Sequence, residues 1–112
     1  MGLEVKACGR CGLTALIGKK EDGPVLLMRA DIDALPMQEE SGLPFASQTP
    51  GKAHCCGHDN HAAMLLGAAR MLKENEDALE GRVKLMFQPG EETGDGCLEM
   101  IQAGVLENPA PD

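Results

Sequence analysis

The amino-acid sequence predicts an α/β fold in which helices pack on a mixed sheet. Two apolar segments with strand character, residues 25–28 and 82–87, flank a segment with helical periodicity. In that middle segment Ala62, Leu65 and Ala69 recur at the spacing of one apolar helix face. A hydrophobic content of 43% and a charged content of 25% are ordinary for a globular protein. The length of 112 residues suffices for the core of one domain.

The first strands surround a turn. The segment "LTALIGKKEDGPVLLMRAD" contains two strands joined at "KKEDGP", where Asp22-Gly23-Pro24 is a strong turn signal. The second of these strands is continuously apolar, which is typical of a strand that is buried on both faces. Residues 32–53 then form a long polar segment interrupted by prolines. Long loops in compact domains are often functional.

The rest of the chain predicts two helices and one more strand. We expect the first helix to begin near Asp59 or Asn60, either of which can cap it. The strand "RVKLMF" follows and ends at "QPGEETGDG", and a second helix is expected over residues 96–107. This order of strands and helices is that of an α/β sandwich with some parallel pairing and right-handed crossovers.

Composition limits the partners and the compartment. The net charge of −8 argues against nucleic acid or an anionic membrane surface as partner, because both attract basic faces. The sequence has no run of about 18 apolar residues, as a membrane span would need. Its start, "MGLEVKACGR", does not have the layout of a signal peptide. The odd number of cysteines fits a reduced compartment, so we expect a cytoplasmic protein.

Three polar clusters stand at comparable places along the chain. "RADID" follows the strand at 25–28, "HCCGHD" precedes the first helix, and "PGEE" follows the strand at 82–87. All the histidines of the chain lie in residues 54–61. In open α/β sheets, sites form beyond the carboxyl ends of the strands. We therefore expect the three clusters to meet at one edge of the sheet.

The residue types in these clusters indicate metal chemistry. Cys56 and His58 are separated by one residue in a glycine-containing loop, so both can face one centre. Thiolate, imidazole and carboxylate together suit Zn²⁺, Mn²⁺, Co²⁺ or Ni²⁺ better than Mg²⁺ or Ca²⁺. Glu91 and Glu92 add two carboxylates, of which one can bind metal while the other faces a bound water. Metal-assisted hydrolysis needs that division of roles.

Each of these residues also has a plainer interpretation. A Glu-Glu pair in a loop is usually solvated surface, and Asp31 and Asp33 are of a type that forms turns after strands. Asp59 can simply cap its helix, and His61 can be a packing or surface residue. The joint arrangement of the clusters favours a site over these separate interpretations.

The thiols support a different hypothesis. Cys8 and Cys11 have the C-x-x-C spacing of redox pairs and of zinc knuckles. A redox pair should follow a strand and open a helix, whereas "CGRCGLTALI" continues into strand sequence. A zinc ribbon needs a second C-x-x-C, for which "CCGH" is a poor substitute. A small structural-zinc or redox module is therefore the alternative to a hydrolase.

Three motifs make the sequence recognisable. "VLLMRADIDALPMQEESGLPFAS", "PGKAHCCGHDNHAAMLLGAARML" and "GRVKLMFQPGEETGDG" resemble the metal-dependent amidohydrolases related to aminoacylase. That family includes hippurate hydrolases, N-acyl-amino-acid deacylases and auxin-conjugate hydrolases. Its pattern runs R-A-D-x-D-A-L-P, H-A-C-G-H-D-x-H and F-Q-P-A-E-E, in this order and at about these separations. Cys55 and Gly90 stand where the pattern has alanine, and neither change removes a functional group.

The resemblance implies roles for individual residues. Cys56 resembles a metal ligand that bridges two divalent ions, His58 its partner ligand and Glu92 a carboxylate ligand. Glu91 matches the general base that activates water for attack on the amide of an N-acyl amino acid or short peptide. The resemblance gives supporting positions to three further residues, Asp31, Asp33 and Asp59.

Family members are several times longer than this chain. The resemblance therefore implies that residues 1–112 are part of the catalytic domain of a zinc-peptidase-like fold. The dimerisation domain, further histidine ligands and the C-terminal part of the catalytic domain would lie elsewhere in a homo-oligomeric full-length protein. We expect the fragment alone to be inactive or incomplete, or else to be a non-catalytic metal-binding remnant.

Overall fold

A computed structural model describes residues 1–112 and contains one sheet with helices on both of its faces. This arrangement confirms the predicted α/β class. The elements in chain order are β1 (Val5–Cys8), β2 (Gly12–Ile17), β3 (Val25–Asp31), α1 (His58–Glu74), a 3₁₀ turn (Glu76–Ala78), β4 (Arg82–Gln88) and α2 (Asp95–Gln102).

The sheet is mixed, with the strand order β1-β2-β4-β3. β1 and β2 form an antiparallel hairpin, β2 pairs with β4 antiparallel, and β3 pairs with β4 in parallel. The two strands joined by the predicted turn at residues 18–24 are therefore not neighbours, because β4 lies between them. Because β3 and β4 are parallel, the chain between them must form a long crossover, and this crossover contains α1. β1 is a strand that the sequence analysis did not predict.

β4 is apolar along most of its length because both of its faces are covered. Leu85 belongs to a buried cluster with Ile17, Leu65 and Ala69, where the sheet meets α1. The next residue, Met86, points to the other face and packs in a second cluster with Met100 of α2. Successive strand residues face opposite sides of a sheet, so β4 contributes to both clusters.

The start of α1 and the end of α2 differ from the sequence prediction. α1 begins at His58, and the residue before it, Gly57, has a φ of 120° and provides no side-chain hydrogen bond as a cap. Asp59 therefore lies in the first turn and does not cap the helix. α2 ends at Gln102, because Gly104 with a φ of 82° turns the chain and buries Val105 against the sheet. Neither helix has the length and apolar composition needed to cross a lipid bilayer.

A buried lysine fastens the segment that follows α2. The Nζ atom of Lys84 in β4 donates hydrogen bonds to the carbonyl oxygens of Val105, Glu107 and Pro109 at 2.9, 2.7 and 2.7 Å. Burial lowers the pKa of this lysine. Since an ammonium group has three donors, these carbonyls use its whole capacity, and the role of Lys84 is structural.

Candidate metal centre

The ends of β3 and β4 bring the polar clusters together. Asp31, the last residue of β3, lies opposite Gln88, the last residue of β4. Because the two strands are parallel, the residues that follow them leave the sheet at the same edge. α1 begins at that edge with His58.

The turn that carries the two glutamates is shaped by glycines. Gly90 has a φ of 62°, and its carbonyl oxygen accepts a hydrogen bond from the backbone N–H of Gly96 at 3.3 Å. A Cβ atom on Gly96 would stand 1.6 Å from the carbonyl oxygen of Pro89. The close approach of the two backbones therefore requires glycine at position 96 and fixes where Glu91 and Glu92 stand.

His58 is the centre of the cluster. Its side chain is only 4% exposed, and its Nδ1 atom lies 3.1 Å from the carbonyl oxygen of Asp33. Because a carbonyl oxygen can only accept, Nδ1 carries the proton and donates. In the neutral ring the lone pair is then on Nε2, which has no hydrogen-bond partner. Such an arrangement is typical of a metal-binding histidine whose other nitrogen is oriented by the backbone.

Carboxylates surround this Nε2 atom at nearly equal distances. Oδ2 of Asp31 lies 3.8 Å away, Oε2 of Glu91 3.7 Å and Oε1 of Glu92 3.9 Å. These distances are too long for hydrogen bonds. They are close to the roughly 3.3–3.8 Å that separates ligands of one tetrahedral ion with bonds of about 2.0–2.3 Å.

Two groups of three potential donors share His58. The ligand atoms of Cys56, His58 and Glu92 lie within 4.8 Å of one another, and so do those of Asp31, His58 and Glu91. Thiol, imidazole and carboxylate form a donor set that suits a borderline divalent cation. The residues present therefore fit a metal ion.

The two aspartates are held in their charged form. Burial would raise the pKa of Asp31, but the hydrogen bond from His61 and the positive charges of His58 and Arg29 outweigh it and lower the pKa. For Asp33, burial is likewise outweighed by hydrogen bonds from backbone N–H groups, first that of Glu92, and its pKa is lowered.

The potential ligands Cys56 and His58 respond to this negative charge. Burial would lower the pKa of His58, but Asp31 and the carbonyl group of Asp33 raise it overall. The hydrogen bond with Glu92 is the main cause that raises the pKa of the Cys56 thiol. A raised pKa favours the protonated form of each group, so a divalent ion that binds Cys56 and His58 competes with protons.

Asp59 and His61 are placed differently from the sequence interpretation. Asp59 faces a separate cavity of about 470 Å³ lined by the loop that contains Leu43 and Phe45. His61 does belong to the cluster, since its Nδ1 atom lies 2.6 Å from Oδ1 of Asp31. The spacing of three residues between His58 and His61 was the available signal, because it puts both on one helix face.

Comparison with known proteins identifies the family. Residues 27–112 match the model of the peptidase family M20/M25/M40. The chain belongs to this family. The resemblance to metal-dependent amidohydrolases is thereby confirmed.

Two similar proteins are named as a deacetylase and as an amino acid hydrolase. An N-acetyl-L-cysteine deacetylase of Bacillus subtilis (strain 168) is 48% identical over 107 residues, covering 95% of this chain and 26% of that protein. The IAA-amino acid hydrolase ILR1-like 4 of Arabidopsis thaliana is 51% identical over 98 residues, covering 86% of this chain and 22% of that protein. The chain thus spans about a quarter of the length of these relatives.

A solved M20 structure has the same fold. The crystal structure of a dinuclear metal-binding peptidase from Bacillus subtilis superposes with a TM-score of 0.88 at 44% identity. The match covers 97% of this chain and 31% of that chain. A similar M20 protein therefore binds two metal ions, which supports divalent metal as the cofactor class.

The M20 match begins after the hairpin that contains the C-x-x-C segment. Cys8 is buried at the end of β1, with its Sγ atom 3.6 Å from the carbonyl oxygen of Met100, whereas Cys11 is exposed. The segment turns between two strands and does not open a helix. These observations do not support the redox or structural-zinc alternative.

Proposed function

We propose that this chain is part of the catalytic domain of an M20-family amidohydrolase that cleaves the amide bond of N-acyl amino acids or short peptides. The observation that carries the proposal is the unpartnered Nε2 atom of His58 facing Asp31, Glu91 and Glu92. The names of the relatives supply the substrate class, because both describe an acyl group joined to an amino acid.

In this proposal Cys56, His58 and Glu92 hold the metal. A complete site would take two ions of the Zn, Mn, Co or Ni type. When bound, such ions polarise the amide carbonyl and lower the pKa of water. Asp33 supports the site by fixing the Nδ1 side of His58, and it holds the neighbouring loop through the backbone of Glu92.

Glu91 acts as the general base. Its side chain is 43% exposed, so it can reach both a water molecule and a bound substrate, while its Oε2 atom stays 3.7 Å from His58. Glu91 takes a proton from the attacking water as the water oxygen bonds to the acyl carbon. It then gives this proton to the nitrogen as the C–N bond breaks.

Substitution of the two glutamates tests this division of roles. The polypeptide encoded by the complete reading frame is assayed for release of the acyl group from an N-acetyl amino acid. Glu91→Gln keeps the size and hydrogen bonding of the side chain but cannot accept a proton, so turnover should fall about 10²- to 10⁴-fold with metal content unchanged. Glu92→Gln should lose metal first, and excess metal should restore part of the rate.

The exposed Glu21, in the turn at the opposite end of β3, provides a matched control. Glu21→Gln should change neither rate nor metal content. If Glu91→Gln loses metal while Glu92→Gln keeps it, the two roles are reversed. If neither substitution changes rate or metal content, the proposed mechanism is wrong.

A further inference from the structure

A cavity of about 470 Å³ lies between the long loop after β3 and the start of α1. Small-molecule sites in proteins usually have volumes of roughly 300–1,000 Å³, so a ligand of modest size fits here. The cavity lies beside the metal centre. Two residues of its lining, Ala34 and Asp59, are the chain neighbours of Asp33 and His58.

The loop that forms most of this cavity is held in shape by its own hydrogen bonds. Two backbone hydrogen bonds between Leu35 and Ala53, at 2.9 and 3.1 Å, join its ends. Within the loop, the carboxylate of Glu39 accepts hydrogen bonds from the backbone N–H groups of Ser41 and Ser47 at 3.0 and 3.3 Å. The cavity is therefore largely preformed, and a ligand would not have to order the loop in order to bind.

One side of the cavity is apolar. Leu43, Phe45 and Ala46 belong to its lining. Phe45 is 79% exposed, more than any other large apolar residue of the chain, and Leu43 is 48% exposed. Neither residue belongs to a buried cluster of the fold. Their apolar surface is thus available to a ligand.

Lys52 is the cation of this cavity, and it has no partner within the chain. The chain has 10 lysines and arginines. Each of the others forms an ion pair with a carboxylate or donates a hydrogen bond to a backbone carbonyl group. The chain has a net charge of −8, so carboxylates are in excess. An ammonium group that stays unpaired under these conditions, next to an apolar wall, indicates an anion from outside the chain.

We propose that this cavity binds a small carboxylate that carries an apolar group, with the carboxylate at Lys52 and the apolar group against Leu43 and Phe45. An N-acyl amino acid with an apolar side chain has this chemistry, and so does an apolar carboxylic acid released by hydrolysis. The role of either compound as substrate or product rests on the proposed function. Binding itself does not need the metal centre.

Two carboxylates in the same lining offer a competing interpretation, in which Lys52 serves as their partner. Both oxygens of Glu39 already accept hydrogen bonds from the backbone, which partly compensates the charge of this residue. Asp59 lines the cavity together with Lys52, but the two residues do not form an ion pair. The carboxylate of Asp59 should therefore oppose a bound anion, and its removal should strengthen binding.

An NMR titration of the 112-residue chain tests the binding itself. Isotope-labelled protein is first freed of metal, so that no ion can hold the carboxylate. N-acetyl-L-leucine should bind with a Kd in the millimolar range, roughly what a ligand of about a dozen non-hydrogen atoms reaches. It should shift the amide signals of residues 39–54. N-acetyl-L-leucinamide has no charge and should bind about 10-fold more weakly.

Substitution of Lys52 tests the place of the carboxylate. Lys52→Gln should weaken binding of N-acetyl-L-leucine about 10-fold, as loss of one charge-assisted hydrogen bond does, and should leave the weak binding of the leucinamide unchanged. Lys20→Gln removes the same charge from the exposed turn before β3 and is the matched control. It should bind as the unsubstituted chain does. Asp59→Asn should bind N-acetyl-L-leucine more tightly.

Substitution of Phe45 tests the place of the apolar group. Phe45→Ala should weaken binding of N-acetyl-L-leucine but not of N-acetylglycine, which has no side chain. The exposed position of Phe45 means that this variant should fold normally. Hexanoate, which has no amide, identifies the source of the ligand. Tighter binding of N-acetyl-L-leucine than of hexanoate assigns the cavity to the substrate, and the reverse order assigns it to the released acid.

The inference is overturned if the shifted signals lie outside residues 39–54, or if Lys52→Gln or Phe45→Ala binds N-acetyl-L-leucine as tightly as the unsubstituted chain. Failure of the proposed function has a different signature. If the Glu91 and Glu92 variants behave as described above but no carboxylate enters the cavity, the proposed function stands and this inference is wrong. If the cavity binds carboxylates but neither glutamate variant changes rate or metal content, the cavity is confirmed and the hydrolytic mechanism is wrong.

Discussion

The backbone N–H of Glu92 donates a hydrogen bond to Oδ2 of Asp33 at 3.2 Å. This contact joins the loop after β4 to the loop after β3. Since the carbonyl group of the same aspartate accepts from Nδ1 of His58, Asp33 fixes two of the proposed ligands at once.

Removal of the Asp33 carboxylate should therefore weaken metal binding without removing a ligand. Asp33→Ala leaves the N–H of Glu92 without its acceptor, and we expect about a 10- to 100-fold loss of Zn²⁺ affinity. Calorimetric titration measures this loss. The control is Asp22→Ala in the exposed turn before β3, and equal affinities in the two variants would contradict the role given to Asp33.

The cysteines should differ sharply in their effect on bound metal. Cys56→Ser and His58→Ala should each lower metal content far more than Cys8→Ser or Cys11→Ser, because only the first two belong to the donor cluster. Metal analysis after dialysis gives the ranking. The reverse order would move the site to the C-x-x-C segment and remove the basis for the proposed metal centre.

Two adjacent leucines of α1 should differ in their effect on stability. Leu65 is 5% exposed within the core, whereas Leu66 is 50% exposed. We expect Leu65→Ala to lower the free energy of unfolding by about 2–5 kcal/mol because it leaves a cavity. Leu66→Ala should cost clearly less, on the order of 1 kcal/mol or below. Urea unfolding measures both values, and similar losses would show that α1 packs on the sheet through a different face.

Glu76 should make stability depend on pH. Its carboxylate is hydrogen-bonded by Lys73 and by the backbone N–H of Gly18, and these two contacts lower its pKa below the ordinary 4.5. A lowered pKa in the folded state means that the stabilisation is fully present above the ordinary value. It is lost as the pH falls through the folded-state pKa.

The variant Glu76→Gln isolates this effect. It should be less stable than the unsubstituted chain near neutral pH, and the difference should shrink as the pH falls below 4.5 and through the lowered folded-state pKa. Thermal unfolding across that range measures the difference. Glu74→Gln, at an exposed pair with Arg70, should show a smaller change, and a gap for Glu76→Gln that does not vary with pH would contradict the assignment.

Much of this architecture could be predicted because it depends on local patterns. The apolar run that became β4 and the periodic leucines of α1 reflect burial, which the sequence records directly. The boundaries depend on backbone conformation instead. Gly57 and Gly104 adopt positive φ values, so α1 begins before the predicted cap and α2 ends before its apolar pattern does.

The cluster was predictable only in part. The metal-binding residue types and their places at strand ends indicated that Cys56, His58 and Glu92 meet. The pairing of His61 with Asp31 was not predicted, because it depends on how α1 is rotated against β3. A sequence does not specify that rotation, and a histidine inside a helix is equally compatible with packing or with solvent.

The parallel pairing of β3 with β4 has a consequence for the order of folding events. Asp31 and Gln88 are neighbours in the sheet, although the long loop and all of α1 separate them in the chain. Closing so long a loop costs conformational entropy, and the strand contacts that offset this cost form only afterwards. Such pairings are therefore slow to form. The carboxylates after β3 and those after β4 are therefore far apart until this step is complete. A cation present during refolding should accordingly leave the refolding rate nearly unchanged and slow the unfolding rate, because it binds only after the rate-limiting closure.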